Sequence, residues 1–329
     1  MSNFTITVVG AGVIGTSIGL ALKQAEDPPR LLAHDKDLGH ARAAVKMGAF
    51  DKAEWNLINA CEQADLIILA IPSTGVHATL EAIAPYLKEG VVISDTTPSK
   101  VSALASAQAL LPAHAHFVSG NPIVRPAGSG YDHADVDLFQ NRLYCLTPAS
   151  SAAEAAVQLM VGIVTLLGAE PFFLDAVEHD GLITAIESLP AVASLALVQT
   201  LTTQGAWREM RKLAGPLFEQ ISAGAVGDPD AWKDRFLANR DNLVRWIDRY
   251  LAQLNELRAL LVTVDNAEET LAQQLDQTVV ARRNWLVDYQ KGHFIDPELA
   301  SPKVESRGLM QQLIGFGALK KRSSRSSKE

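Results

Sequence analysis

The sequence that decides the fold is FTITVVGAGVIGTSIGLAL, residues 4–22. It opens with the β-branched run Thr5–Val9, turns at glycines, and then carries apolar residues at helical spacing. Gly10, Gly12 and Gly15 form the pattern G-x-G-x-x-G at the turn. The stretch therefore predicts a strand, a tight turn and a helix, which is the local context of a dinucleotide-binding loop.

Each glycine of this loop has a predicted role. The first permits the tight turn, the second lets a pyrophosphate approach the backbone, and the third allows close packing of helix on strand. The free N–H groups at the start of the helix and its partial positive charge favour phosphate. The predicted cofactor contacts of the loop are Gly10, Gly12, Val13, Ile14 and Gly15.

Further cofactor contacts are predicted at the ends of the next strands. Asp35 ends the second predicted strand, about 20 residues beyond the last glycine, where a carboxylate accepts hydrogen bonds from both ribose hydroxyls. It would repel a 2′-phosphate, which favours NAD over NADP, although the neighbouring Lys36 leaves room for use of both. Ala70 and Pro72 end the strand in DLIILAIP and are expected along the cofactor. The alternative is a structural glycine turn with a solvated aspartate.

The chain beyond the loop alternates strand and helix patterns up to about residue 169. Continuously apolar strands such as ADLIILAIP and VVISDT indicate a parallel sheet covered on both faces. We therefore predict an α/β class protein whose N-terminal Rossmann domain, residues 1–169, is a doubly wound parallel sheet.

After residue 170 the strand signals stop and helical patterns take over. In residues 242–261 the apolar positions follow the i, i+3, i+4, i+7 spacing of one helical face. Long amphipathic helices need a partner surface, which a second copy of the chain supplies. We predict an all-helical dimerisation and substrate domain over residues 170–300, and a basic, disordered tail over 301–329.

Composition excludes several classes of partner. The chain has 329 residues, 48% hydrophobic and 20% charged, and a net charge of -8. Residues 303–329 carry seven Lys or Arg and two Glu, so the rest of the chain is acidic, which argues against nucleic acid. There is no run of about 18 uncharged apolar residues and no signal-peptide pattern, so we expect a cytoplasmic protein without a membrane segment. Cys61 and Cys145 are far apart and suggest core residues rather than a disulfide or zinc site.

The stretch GNPIVRPAGSG, residues 120–130, is predicted to be a loop. Its two prolines and three glycines interrupt both helix and central strand. Loops on a rigid scaffold often carry functional side chains, although most polar loop residues are only solvated. Asn121 and Arg125 are the candidates here.

The chain resembles the prephenate and arogenate dehydrogenases over roughly residues 5–290. The resemblance is carried by the glycine loop and by the segments DLIILAIP, VVISDTTPSK, GNPIVRPAGSGYDHADVDLF, VEHDGLITAIESLPAV and GDPDAWKDRFLANRDNL. It implies a Rossmann domain followed by a helical dimerisation domain. It also implies oxidation of a ring hydroxyl with NAD(P) and loss of CO2, in tyrosine biosynthesis.

The sequence departs from this family at the residues that perform the chemistry in the first domain. The family's loop carries a histidine that takes the hydroxyl proton, and Asn121 stands at that position. An amide donates and accepts hydrogen bonds but is not a general base near neutral pH. The serine that supports the histidine in the family aligns with Pro98.

Two further departures fall in the helical domain. The family's S-H-L-P-H aligns with residues 187–191, ESLPA, so both histidines are absent. The family's carboxylate-binding arginine aligns with Ala223. Four changes in one site indicate a changed ligand.

Several residues are candidates to replace the missing groups. Asn121 would hold the substrate hydroxyl, and Lys100, which matches the family's lysine, would approach the nicotinamide or cap a strand. Arg125 would anchor an acid, His133 would act as acid or base, and Ser188, beside Glu187, lies where the family contacts substrate. If they do not contact substrate, Arg125 is a surface arginine, His133 lies on a solvated turn, and Glu187 and Ser188 lie on a helix surface. His179-Asp180 matches the family's H-D pair and is expected to be structural, not a metal site.

We therefore predict an NAD-dependent dehydrogenase of the prephenate dehydrogenase type, a homodimer that acts on a small acidic substrate other than prephenate. The alternative is a non-catalytic NAD-binding sensor or partner module that retains the cofactor site and the dimer.

Overall fold

The computed structural model describes residues 4–227, 229–262 and 267–291. The chain divides into two units between Val177 and Glu178. The sequence prediction put this boundary at residue 170, but residues 170–173 form the last strand of the first unit's sheet. The predicted basic tail, residues 301–329, lies outside the described residues.

The first unit is built on one eight-stranded sheet with the order β3-β2-β1-β4-β5-β6-β7-β8. The strands are β1 Thr5–Val9, β2 Arg30–His34, β3 Lys52–Ala53, β4 Leu66–Leu69, β5 Val92–Asp95, β6 His116–Pro122, β7 Leu143–Pro148 and β8 Glu170–Phe173. All neighbouring strands are parallel except β6 and β7, which pair antiparallel. The predicted doubly wound parallel sheet is confirmed, apart from the antiparallel pairing of β6 with β7.

The helices of the first unit cover the two faces of this sheet with separate apolar clusters. They are α1 Val13–Leu22, α2 Leu38–Lys46, α3 Leu57–Cys61, α4 Ser73–Ile83, α5 Lys100–Leu110 and α6 Glu154–Leu166. One cluster joins β1 and β2 to α1, α2 and α6, and the other joins β4 and β5 to α4 and α5. Burial of the central strands on both faces explains why they read as continuous apolar runs.

Part of the stretch 120–130, which was predicted to be a loop, is a strand that pairs antiparallel with β7. Gly120, Asn121 and Pro122 belong to β6 and pair with Leu146, Cys145 and Tyr144, so only the stretch after Pro122 is a loop. Proline at a strand end is compatible with the sheet because its missing N–H falls where the ladder ends. The prediction of a loop was therefore wrong for the first three residues, because their partner strand lies more than 20 residues away.

In the described residues of the second unit, all regular secondary structure is helical. Its helices are α7 Ala176–Ile183, which begins in the first unit, α8 Leu189–Thr202, α9 Trp207–Leu213, α10 Pro216–Ser222, α11 Pro229–Ala238, α12 Arg240–Val262 and α13 Ala267–Lys291. A single π-helical turn, Thr184–Ser188, joins α7 to α8 without interrupting the helix. Such turns are rare and occur frequently at functional sites.

Many large apolar side chains of the second unit are exposed in the single chain. The stretch Ala176–Thr202 is one helix, long and apolar enough to cross a membrane, with a mean hydropathy of 1.8 over an 18-residue window. One such helix is weak evidence for a membrane segment, because core helices of soluble proteins share that length and composition. Exposed apolar residues also occur on α9, α10 and α12, among them Leu213, Leu217 and Leu254. An apolar surface of this extent indicates a partner surface.

Candidate functional site

The turn between β1 and α1 has a backbone that only glycine accommodates at two positions. Gly10 has a φ of +102°, and a Cβ there would overlap the carbonyl of Ala70. A Cβ on Gly15 would overlap the carbonyl of Gly10. At Gly12 the nearest atom to an added Cβ is the carbonyl oxygen of Ser129, at 3.6 Å. Gly12 therefore leaves space beside the loop, whereas the other two glycines are required by the loop itself.

The first turn of α1 presents backbone amides to this space. Gly12 precedes the helix and provides no side-chain cap, so the amides of Val13 and Ile14 need an acceptor from elsewhere. The N–H of Val13 donates to the carbonyl of Ser129 at a long distance of 3.3 Å. An uncapped helix start next to a glycine turn suits an anion such as pyrophosphate.

Asp35 is fixed beside the glycine loop at the end of β2. Its Oδ2 accepts a hydrogen bond from the N–H of Ala11 at 2.7 Å, and its Oδ1 accepts one from the N–H of Asp37 at 2.9 Å. Each carboxylate oxygen has further lone pairs for ribose hydroxyls. The glycine cradle, the uncapped helix start and this carboxylate together fit an NAD molecule.

Ala70 and Pro72 flank the same turn at the carboxyl end of β4. The N–H of Ala70 donates to the carbonyl of Val9 at 2.8 Å, and Pro72 directly precedes α4. The side chain of Ile71 lies 3.0 Å from the position of a Cβ on Gly10. These residues therefore form one wall of the glycine loop, where cofactor contacts were predicted.

A fully buried ion pair lies where β5, β6 and α5 meet. The ammonium of Lys100 donates to Oδ2 of Asp95 at 2.8 Å, and neither side chain is exposed. Asp95 Oδ2 also accepts from the backbone and hydroxyl of Thr97, and Oδ1 accepts from the hydroxyl of Ser119 and the N–H of Gly120. Such a network compensates the cost of removing two charges from water. The same network also holds the end of β6 in a fixed position.

Lys100 and Asn121 are the two predicted catalytic residues, and Lys100 contacts the residue that precedes Asn121 on β6. Lys100 also donates to the carbonyl of Gly120 at 2.5 Å, immediately before Asn121. Asn121 is 5% exposed and lies opposite Cys145 on β7. Lys100 therefore helps to fix the strand that contains Asn121.

Arg125 and His133 lie on the connection that follows β6. Arg125 is exposed. His133 is 46% exposed, and its Nε2 lies 3.7 Å from a carboxylate oxygen of Asp132. The same connection contacts α1, where the N–H of Asp135 donates to the hydroxyl of Ser17 at 2.9 Å. The roles of Arg125 and His133 as substrate contacts stay predictions.

The two described thiols are buried and poorly ionised. Burial raises the pKa of Cys61 to about 12. Burial also raises the pKa of Cys145 to about 11, despite the positive charge of Lys100 nearby. Since the thiolate is the nucleophile, neither cysteine is suited to covalent catalysis.

The π-helical turn of the helical unit carries Ser188 and an ion pair that the sequence did not suggest. Glu187 binds Arg235 of α11 through Oε2 and a guanidinium nitrogen, while the following Ser188 is buried. Arg235 also lies 5.6 Å from the ring centre of Trp232. The sequence analysis named Glu187 and Ser188 but not Arg235, because nothing in the sequence of α11 indicates that this arginine pairs with Glu187.

The helical-domain positions that depart from the family pattern lie close together. The hydroxyl of Ser194 donates to the carbonyl of Ile221 at 2.6 Å and thereby ties the end of α10 to α8. A Cβ on Gly224, which follows Ala223, would lie 3.4 Å from Cα of Ala191. The structure thus places the segment after α10 against the helix that contains residues 187–191.

His179 and Asp180 form a buried pair on α7. Nδ1 of His179 lies 2.9 Å from Oδ1 of Asp180, and the Asp180 carbonyl accepts from the hydroxyl of Thr184. Across the described ranges, no three His, Cys, Asp or Glu side chains are grouped as metal ligands. The structural role of this pair stays a prediction.

Comparison with known proteins gives matches across both units. The family model described as "Prephenate dehydrogenase, nucleotide-binding domain" matches residues 18–172, and "Prephenate dehydrogenase, dimerization domain" matches residues 175–277. The prephenate dehydrogenase of Lactococcus lactis is 30% identical over 78% of this chain and 71% of its own length. That of Bacillus subtilis is 28% identical over 79% of this chain and 71% of its own.

Among solved structures, the prephenate dehydrogenase of A. aeolicus, in complex with hydroxyphenyl propionate and NAD+, superposes with a TM-score of 0.80. It is 23% identical, and the match covers 86% of this chain and 99% of that one. Synechocystis arogenate dehydrogenase gives a TM-score of 0.75 at 24% identity, over 86% of this chain and 100% of that one. Both superpositions support the two-part fold.

Proposed function

The chain belongs to the prephenate dehydrogenase family, and from that premise we propose that it oxidises a hydroxyl-bearing cyclohexadienyl acid with NAD. The observation that carries the proposal is the glycine cradle beside Asp35, which fits NAD in a chain of this family. None of the described residues favours the non-catalytic alternative.

NAD supplies the hydride acceptor in this reaction. The carbinol carbon loses a hydride and its hydroxyl loses a proton, which leaves a ring ketone. The C–CO2 bond then breaks, its electron pair makes the ring aromatic, and the resulting phenolate oxygen takes up a proton from water. The glycine loop and Asp35 would hold the dinucleotide, and the backbone amides at the start of α1 would bind its pyrophosphate.

Asn121 would hold the substrate hydroxyl at the end of β6. Its amide accepts a hydrogen bond from the hydroxyl but does not titrate, so we propose that the proton leaves to water. Lys100 would act as a positioning residue, because it is fully buried and fixes Gly120, next to Asn121. Arg125, His133 and Ser188 remain proposed substrate contacts.

We further propose that the enzyme is a homodimer joined through its helical unit and that it acts in the cytoplasm. The dimerization-domain match and the exposed apolar residues of α9, α10 and α12 support the dimer. A role in tyrosine biosynthesis follows from the family.

Steady-state kinetics tests the proposal. Purified protein is assayed with NAD and either prephenate or arogenate, and NADH is followed by absorbance. We expect NADH formation with at least one of them, at a rate about 100- to 10,000-fold below the usual value of about 10 per second, because a positioned base is absent. Restoring the family's groups together, by Pro98→Ser, Asn121→His and Ala223→Arg, should raise the rate. Absence of NADH with both substrates, while NAD binds, would contradict the proposed function.

A further inference from the structure

The connection between β6 and β7 runs past the glycine loop within the first unit. Residues 124–138 of this connection are called the strap. Near its two ends, Val124 and Leu138 pack against the apolar cluster that joins β1 and β2 to α1 and α2. The strap is therefore anchored at both ends, and the residues between the anchors contact the first turns of these two helices.

The carbonyl of Ser129, in the middle of the strap, uses an amide that a phosphate group would also use. The N–H of Val13, the first residue of α1, donates to this carbonyl at 3.3 Å. The same oxygen is the nearest atom to a Cβ built on Gly12, at 3.6 Å, so it borders the space beside the glycine loop. A backbone N–H is a single donor. The carbonyl and a phosphate oxygen therefore compete for it.

Two further contacts hold the strap against α1 and α2. The N–H of Asp135 donates to the hydroxyl of Ser17 at 2.9 Å. The ring of Tyr131 lies 5.4 Å from the ring of His40, which belongs to the first turn of α2. Because α2 follows Asp35 in the chain, the strap extends from the expected position of the pyrophosphate towards that of the ribose.

The contact at Ser129 is the weaker of the two hydrogen bonds between the strap and α1. It joins neutral groups at 3.3 Å, and Ser129 itself is exposed. A hydrogen bond from a backbone amide to a phosphate oxygen is charge-assisted, and such bonds are shorter and roughly twice as strong. A dinucleotide can therefore displace the carbonyl while the ends of the strap stay anchored.

We propose that the strap is an autoinhibitory cover of the cofactor site. When the strap is closed, Ser129 occupies the amide of Val13, and NAD binds by displacing this part of the strap with its pyrophosphate. The proposal rests on the proposed function, because it takes NAD to bind at the glycine loop. The affinity for NAD is then that of the open form, reduced by the fraction of molecules that are open. A change that weakens the closed strap should tighten the binding of NAD.

Calorimetry with NAD tests this expectation on the ring contact. Tyr131→Ala removes the contact with His40 and should lower the Kd for NAD by about two- to tenfold, the range that a ring pair contributes. Tyr131→Phe keeps the ring and should bind NAD like the wild type. Tyr86→Ala, which removes another exposed tyrosine ring of the same unit, is the matched control and should change nothing. Equal or weaker binding by a folded Tyr131→Ala would overturn the proposal.

Hydrogen exchange of the wild type gives a second readout that does not depend on activity. When NAD is added, the amide of Asp135 should exchange faster, because the displaced strap loses its bond to the hydroxyl of Ser17. The amide of Val13 should exchange more slowly, because a phosphate oxygen replaces a long hydrogen bond. A strap that closes over the cofactor would slow both amides, and that result would overturn the proposal.

The binding and turnover results together separate this proposal from the proposed function. If the wild type binds NAD and Tyr131→Ala binds it no more tightly, the cover is refuted and the proposed function stands. If Tyr131→Ala binds NAD more tightly but neither prephenate nor arogenate is oxidised, the cover is supported and the proposed function fails. If neither protein binds NAD, both proposals fail.

Discussion

Replacing Lys100 with Met should destabilise the first unit strongly. The change leaves Asp95 buried without its cation, although the hydrogen bonds from Thr97, Ser119 and Gly120 persist. Removing one partner of a buried ion pair costs about 3–5 kcal/mol. For a domain of about 150–250 residues, each kcal/mol lowers Tm by roughly 2–4 °C, so the expected loss is about 6–20 °C.

Thermal unfolding of four proteins measures this effect. The wild type is compared with Lys100→Met, with the double variant Lys100→Met, Asp95→Asn, and with Lys23→Met as a control. Lys23 pairs with Asp51 at 2.6 Å, but their side chains are 21% and 45% exposed, so its loss should cost no more than about 1 kcal/mol. The double variant should recover part of the lost stability, because it leaves no unpaired buried charge.

The same variant tests the proposed positioning role of Lys100. If Lys100 acts through Gly120 on the strand that holds Asn121, kcat falls while the affinity for NAD is nearly unchanged, and the melting temperature falls as well. A loss of less than about 2 °C for Lys100→Met would refute the reasoning, since the pair would then not be bearing a buried charge.

The remaining predictions concern the cofactor, the dimer and pH. NAD should bind more tightly than NADP, and Asp35→Ser should reduce this difference in affinity by removing a repulsion of about 1–3 kcal/mol between the carboxylate and the 2′-phosphate. Equal affinities of the wild type for NAD and NADP, measured by calorimetry, would count against the role of Asp35. Light scattering should give twice the chain mass of 35.4 kDa, and Leu254→Asp should shift the protein towards the monomer without unfolding it. Burial raises the pKa of Asp51, but the N–H of Leu31 and the ammonium of Lys23 outweigh it, so the pKa is lowered from 3.8. Its contribution to stability is present above pH 3.8 and is lost as pH falls further, and Lys23→Met should weaken this acid dependence in denaturant titrations below pH 5.

How far the site could be predicted depends on how local each signal is. The glycine loop and Asp35 were predictable because a strand, a turn and a helix adjacent in sequence are adjacent in space. Asn121 was recognised by position, but its place in a strand was missed because β7 supplies the pairing. Arg235 was not recognised at all, since its partner Glu187 is 48 residues away.

The sequence by itself determined the α/β fold followed by helices, the glycine turn after β1 and the family, because hydrophobic periodicity and glycine spacing are local properties of the chain. Only the tertiary structure decided what the charged side chains do. Lys100 could have capped a strand or faced a ligand, and its full burial against Asp95 follows from the packing of β5, β6 and α5. Glu187 reads as an ordinary helix-surface residue until the fold brings Arg235 to it. The free energy of a charge is set by its burial and its partners, and both are established by contacts between residues distant in sequence.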